Sequence, residues 1–216
     1  GGSRVDGVPE AVGQFVKRSS YLKASIGEVR WLARKLAALP AAVGLLITDD
    51  ANDLNENEVE AIRWMKANTP QLYPWINQCA DSSEWVARAG TPYATPELYH
   101  VAEAGGWVLN ESASAPAKAY EFARDQLASY VNWTVHAHRH RLGFFPLLNV
   151  GDGGDTGLLR SNSLARFQAY AALAYGAKGL SYFTWAQGLW DTRASTPTPI
   201  LDAVRSVNER ANSGGW

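Results

Sequence analysis

The chain has 216 residues, 46% of them hydrophobic and 19% charged, with a formal net charge of -1 at pH 7. That is enough apolar material for one buried core, and the charge balance offers no electrostatic hold on nucleic acid or an anionic membrane. No apolar run reaches the roughly 18 residues that a membrane-crossing helix needs, and the single cysteine, Cys79, cannot close an internal disulfide, so the redox compartment stays open.

The chain opens Gly-Gly-Ser, with no methionine and no signal-like run, and the expectation is a processed or partial chain. Gly1 to Pro9 has no periodicity and reads as loop. From Glu10 to Leu39, Val12, Phe15 and Val16, then Leu22, Ile26, Val29, Leu32 and Leu36, recur at helical spacing. One long helix or two are expected there, ended by Pro40. Val43 to Thr48 is a short apolar run between that proline and Asp49-Asp50: a buried strand whose carboxyl end carries two acids.

Asn55 or Asn57 can cap the next helix, whose apolar residues are Val59, Ile62, Trp64 and Met65 and whose end is Asn68-Thr69-Pro70. Leu72 to Asn77 reads as a strand, and Cys79 to Ala104 as loops and short helical turns. Gly106 to Asn110 is a short strand ending at Glu111, Ala115 to His140 a helix, and Gly143 to Val150 a strand with an internal proline. A glycine-rich loop, Gly151 to Gly157, follows. It lacks the lysine of a phosphate loop and predicts no nucleotide site.

Ala165 to Trp185 organises the rest. Phe167, Tyr170 or Ala171, Ala174 and Tyr175 make a helical stripe, Gly176 suits a left-handed stop, and Gly179 opens the run Leu180-Ser181-Tyr182-Phe183-Thr184-Trp185. A loop with Trp190-Asp191-Thr192-Arg193 and a final helix from Ile200 to Arg210 complete the chain. Strands alternating with helices predict parallel βαβ units, an α/β chain.

The stretch ARFQAYAALAYGAKGLSYFTW resembles the last helix and strand of a group of (β/α)8-barrel glycoside hydrolases, the β-galactosidase-like enzymes and their uncharacterised relatives. The resemblance implies a TIM-barrel fold. Five strands are predicted, at 43–48, 72–77, 106–110, 143–150 and 179–185, against eight in a full barrel, and they match the family's strands four to eight. The expectation is therefore a partial barrel: one domain over 1–216, the C-terminal portion of a (β/α)8-barrel whose N-terminal strands a missing segment or another chain would supply.

In such a fold, chemistry sits at the carboxyl ends of the strands. The resemblance puts a general acid/base at Asp49-Asp50, but this chain has Asp-Asp-Ala where the family has Asp-Glu-Pro. Aspartate is one methylene shorter, which moves the carboxyl back by about 1.5 Å and can cost orders of magnitude in rate. Glycoside hydrolysis also needs a second carboxylate, for which Glu111, Asp152 and Asp155 are the candidates, each equally readable as a turn residue. Asn77, Gln78 and Asn149 are placed to hydrogen-bond sugar hydroxyls, and Tyr182, Trp185 and Trp190 to line or stack on a sugar.

Two motifs carry less. His136, His138 and His140 lie at a helix carboxyl end, where cations are favoured without any metal, and two glycosylation-type triplets begin at Asn110 and Asn132. The function expected is a glycoside hydrolase using carboxylate acid/base catalysis, with carbohydrate as partner and neither cofactor nor metal. The alternative is a barrel that has lost turnover and binds glycan or builds a larger assembly.

Overall fold

A computed structural model describes residues 14–17, 26–51, 56–79, 83–98, 115–150, 162–183 and 188–213. In chain order the elements are β1 (Gln14–Lys17), α1 (Ile26–Ala37), β2 (Ala42–Ala51), α2 (Glu56–Asn68), β3 (Tyr73–Gln78), α3 (Ser83–Ala89), β4 (Tyr93–Ala94) and β5 (Glu97–Leu98). They continue with α4 (Ala115–Arg139), β6 (Gly143–Phe144), β7 (Leu147–Asn149), α5 (Asn162–Ala174), β8 (Ser181–Phe183), β9 (Trp190–Asp191), β10 (Thr196–Pro197) and α6 (Pro199–Asn212). The chain is α/β, with mostly short parallel strands, and no described helix is long and apolar enough to cross a membrane.

It divides into two compact units, one of Gly1–Pro96 with His136–Gly143 and one of Glu97–Val135 with Phe144–Trp216. In the first unit β1, β2 and β3 form a parallel sheet in that order. Helices cover one of its faces: Val29, Ala33 and Leu36 of α1 and Ala61 and Met65 of α2 pack on Leu45, and Val59, Ile62, Val86 and Ala89 pack on Ile76. This is burial of an apolar stripe against a sheet, the arrangement that alternating periodicity dictates. The strand β1 corrects the first part of the helical reading of Glu10 to Leu39. A four-residue segment with Phe15 and Val16 is too short to declare its period, and pairing of Phe15, Val16 and Lys17 with Gly44, Leu45 and Leu46 decides the outcome. The parallel sheet thus begins before residue 43.

In the second unit β5, β7 and β8 pair in parallel, and Val150, Ala165, Leu189, Ile200, Ala203 and Val204 form a core cluster. The strand expected over 143–150 is split at Phe145-Pro146, because proline has no N–H to give the ladder; its carbonyl still accepts from Ser181 N at 3.0 Å. The segment expected as a loop around Trp190 holds a short antiparallel hairpin, β9 with β10, and the 79–104 region holds α3 and two short strands. The strand expected at 106–110 and the loop at 151–157 lie outside the described residues.

Helix ends follow local chemistry. Gly176 has φ +85°, Ala177 N donates to Ala172 O at 3.0 Å and Gly176 N to Leu173 O at 2.9 Å, a Schellman stop at the predicted glycine. The same closure ends α4, where Leu142 N donates to Ala137 O and Arg141 N to His138 O, but there Arg141 takes the left-handed position at φ 59°.

Candidate functional site

At the carboxyl ends of β2 and β3 a polar chain assembles. Simple alternation from Leu45 would turn Asp49 toward the helices, as it does Ile47, which packs against both helix-covered clusters. Instead the register shifts between Leu46 and Thr48: Leu46 pairs with Trp75, and Thr48 with Ile76, which faces the helices. The slip flips the phase, so Asp49 joins Leu46, Trp75 and Asn77 on the opposite face. There Asn77 Nδ2 donates to Asp49 Oδ1 at 2.5 Å, and Trp75 Nε1 donates to Asn77 Oδ1.

The indole N–H can only donate, so it fixes which end of the Asn77 amide is oxygen and leaves the NH2 to face the carboxylate. Asn77 and Trp75 are buried, Asp49 half-buried. Below them Tyr73 meets Trp75 and Tyr93 edge-on at 5.7 and 5.5 Å between ring centroids. Burial, with Tyr93 alongside, pushes the Tyr73 phenol well above its usual range, so it stays neutral. On the helix side Thr48 Oγ1 donates to Glu58 Oε1 at 2.7 Å, in the first turn of α2.

The other expected residues fall in different places. Gln78 is fully buried and belongs to the frame: its Oε1 accepts from Thr95 N at 2.7 Å, its N donates to Thr95 O at 3.1 Å, and Thr95 Oγ1 donates to Ile76 O. These hydrogen bonds join β3 to the 95–96 segment. Asn149 is buried at the end of β7, where its carbonyl accepts from Gln168 Nε2 at 3.0 Å. Tyr182 lies half-buried in β8. Its ring packs on the core of the second unit and its hydroxyl donates to Asn208 Oδ1 at 3.0 Å, toward α6. Burial pushes that phenol up as well.

Trp190 is half-buried in β9. Its neighbour Asp191 accepts from Arg193 N at 2.8 Å and Ala194 N at 3.1 Å, and these hydrogen bonds, Ala194 first, hold the carboxyl below the usual aspartate range. Asp50 lies within β2, but its side chain is outside the described residues, as are Glu111, Asp152, Asp155 and Trp185. No group of three or more histidine, cysteine or acidic side chains that could hold a metal occurs among the described residues. Sequence reasoning passed over Trp75, although the period of two in Tyr73-Pro74-Trp75-Ile76-Asn77 puts it on the Asn77 face.

No family model matches the chain, and no curated protein does. Solved structures do. The chain is similar to the crystal structure of the cellulose synthase subunit Z (CcsZ) of Clostridioides difficile, with a TM-score of 0.58 and 10% identity over 89% of this chain and 73% of that one. The HMG-CoA lyase of Brucella melitensis gives a TM-score of 0.49 and 12% identity over 85% of this chain and 61% of that one. At such identity the likeness to the first speaks for fold alone: an α/β chain with neighbours of TIM-barrel type.

Proposed function

We propose that the chain is carbohydrate-directed: a glycoside hydrolase-like protein that cleaves O-glycosidic bonds by carboxylate acid/base catalysis, with Asp50 as proton donor. The observation that carries this reading is the Trp75–Asn77–Asp49 chain at the carboxyl ends of two parallel strands. An amide holds Asp49 Oδ1, which makes Asp49 an oriented acceptor and leaves proton donation to the next residue in the strand. The sequence offers Glu111 and Asp152 as candidates for the second carboxylate. On this reading residues 1–216 are one domain, the C-terminal portion of a barrel that a preceding segment or another chain completes.

A second reading has its own support. The sequence Asp-Asp-Ala, where the family resembled has Asp-Glu-Pro, sets the acid back by one methylene, which favours a barrel that binds glycan or serves as a subunit without turnover. The cellulose synthase subunit among the structural neighbours is in keeping with a carbohydrate setting for either.

The experiment is a panel of aryl glycosides together with calorimetric titration of cello-oligosaccharides, on the wild type and on Asp50→Asn. Hydrolysis that Asp50→Asn abolishes is the expected result. Saturable binding without turnover selects the second reading, and equal rates for the two proteins remove Asp50 from the mechanism. A protein that shows no binding and no turnover overturns the carbohydrate assignment.

A further inference from the structure

In the first unit, helix α1 is finished on one flank and bare on the other. Toward α2, Arg30 Nη2 donates to Glu60 Oε1 at 3.1 Å, and the guanidinium carbons of Arg30 and Arg34 stand 5.7 and 5.2 Å from the centre of the Trp64 ring. Val29, Ala33 and Leu36 face the sheet. At about 100° per residue, Trp31, Leu32 and Lys35 then fall on the flank turned away from α2. Leu32 is half-buried, but Trp31 is 62% exposed, and Leu39, in the turn that follows, is 54% exposed.

The sheet beneath is open on the same side. Its order is β1-β2-β3, so β1 pairs with β2 and, among the described residues, with no strand on its other edge. Because α1 joins β1 to β2 and α2 joins β2 to β3, the flank of α1 turned from α2 lies on the β1 side. A bare helix flank and a bare strand edge therefore coincide. In a TIM-type array each strand and each helix has a neighbour on both sides, and an unpaired edge beside an exposed indole is a liability. More than a quarter of the cellulose synthase subunit lies outside its match to this chain.

We propose that this side of the first unit is the docking face for one further strand–helix unit, encoded ahead of residue 1. Its strand pairs in parallel with the open edge of β1, and its amphipathic helix lays an apolar stripe on Trp31, Leu32 and Leu39, with an acid opposite Lys35. Residues 1–13 are too few to supply it, since a strand–helix–strand unit takes about 30 residues or more. This deepens the partial-barrel reading above, on whose architecture it rests, and owes nothing to sugar chemistry.

The test is hydroxyl-radical footprinting with hydrogen exchange, on residues 1–216 and on the product of the whole reading frame that contains them. In residues 1–216 Trp31 is oxidised as an exposed indole. In the longer product its oxidation falls several-fold and the amides of β1 gain protection. Trp31→Lys combined with Leu39→Lys shifts the melting temperature of residues 1–216 by no more than about 2 °C, because exposed positions tolerate such changes, but lowers that of the longer product by several degrees. A longer product whose Trp31 reacts as an exposed indole overturns the proposal, as does a reading frame with fewer than about 30 codons ahead of residue 1. Sedimentation that shows residues 1–216 to be a dimer with Trp31 protected also overturns it and assigns the face to a second copy. The footprint of the longer product decides the matter if residues 1–216 or the doubly substituted chain fails to fold. No sugar enters these measurements, so a protein inactive on glycosides leaves the docking face standing, and an unprotected Trp31 leaves the glycoside panel to its own result.

Discussion

The carboxyl ends of β2 and β3 and those of β7 and β8 occupy equivalent positions in their own sheets, yet they are built from different materials. The first pair ends in Thr48, Asp49 and Asn77, where a bulge re-aims an acid and an indole and an amide hold it. Among the described residues the second pair contains no acid. Asn149 gives its carbonyl to a helix glutamine, Tyr182 turns to α6, and Val150 N closes on Phe183 O at 2.7 Å. In the first unit, then, polar side chains at the strand ends hold one another. In the second they hold the strands to the helices.

Five measurements break or sharpen that contrast, and the largest effect belongs to the scaffold. A Cβ on Gly179 would come within 2.2 Å of Phe145 Cε2, so Gly179→Ala must move the ring or the strand and is expected to lose about 3 kcal/mol in chemical denaturation. Unchanged stability would mean that β8 does not approach Phe145 as described. In the first unit, Asn77→Leu removes both the acceptor of Trp75 Nε1 and the donor to Asp49 in a buried setting. A loss of about 2 kcal/mol is expected, with a shifted Trp75 fluorescence maximum. A silent variant would dissolve the relay, and with it the contrast between the rims.

Smaller effects follow at the helix stops. Gly176 has open space around it but a φ of +85°, so Gly176→Ala costs backbone strain alone, about 1 kcal/mol. Arg141 occupies the matching position with a side chain, and Arg141→Gly should gain some tenths of a kcal/mol, the relief of αL strain less glycine's greater unfolded entropy. A loss of stability at Arg141→Gly would show that its side chain matters more than its φ.

The smallest effect is electrostatic. Asp191 is half-buried, and two backbone N–H groups lower its pKa. A depressed carboxyl stabilises the hairpin above the unfolded aspartate pKa of about 3.9, and that contribution disappears as pH falls through the folded value. A carboxyl NMR titration of Asp191 should have its midpoint below the ordinary aspartate value; a midpoint at or above it would remove the Arg193 and Ala194 contacts.

Long periodic segments were legible before any coordinates. The helices at Ala115–Arg139 and Pro199–Asn212, the strand Tyr73–Gln78 and the glycine stop at 176 lie within a few residues of their expected bounds, because period, capping and left-handed φ are properties of neighbouring residues. Strand β1 was not, since four residues acquire their identity from the strand beside them. Among site residues, alternation put Asn77 at a strand end, but the roles of Gln78 and Tyr182 depended on which distant backbone or side chain came to meet them.

What the chain's own order of residues determined was the α/β alternation, the helix stops and the presence of acids and amides after apolar runs, all of them consequences of spacing within one segment. Which way those groups face was decided only in three dimensions. A single register slip between Leu46 and Thr48 turns Asp49 from the helix layer to Asn77, and a slip of that kind arises from pairing between strands, which no one segment encodes.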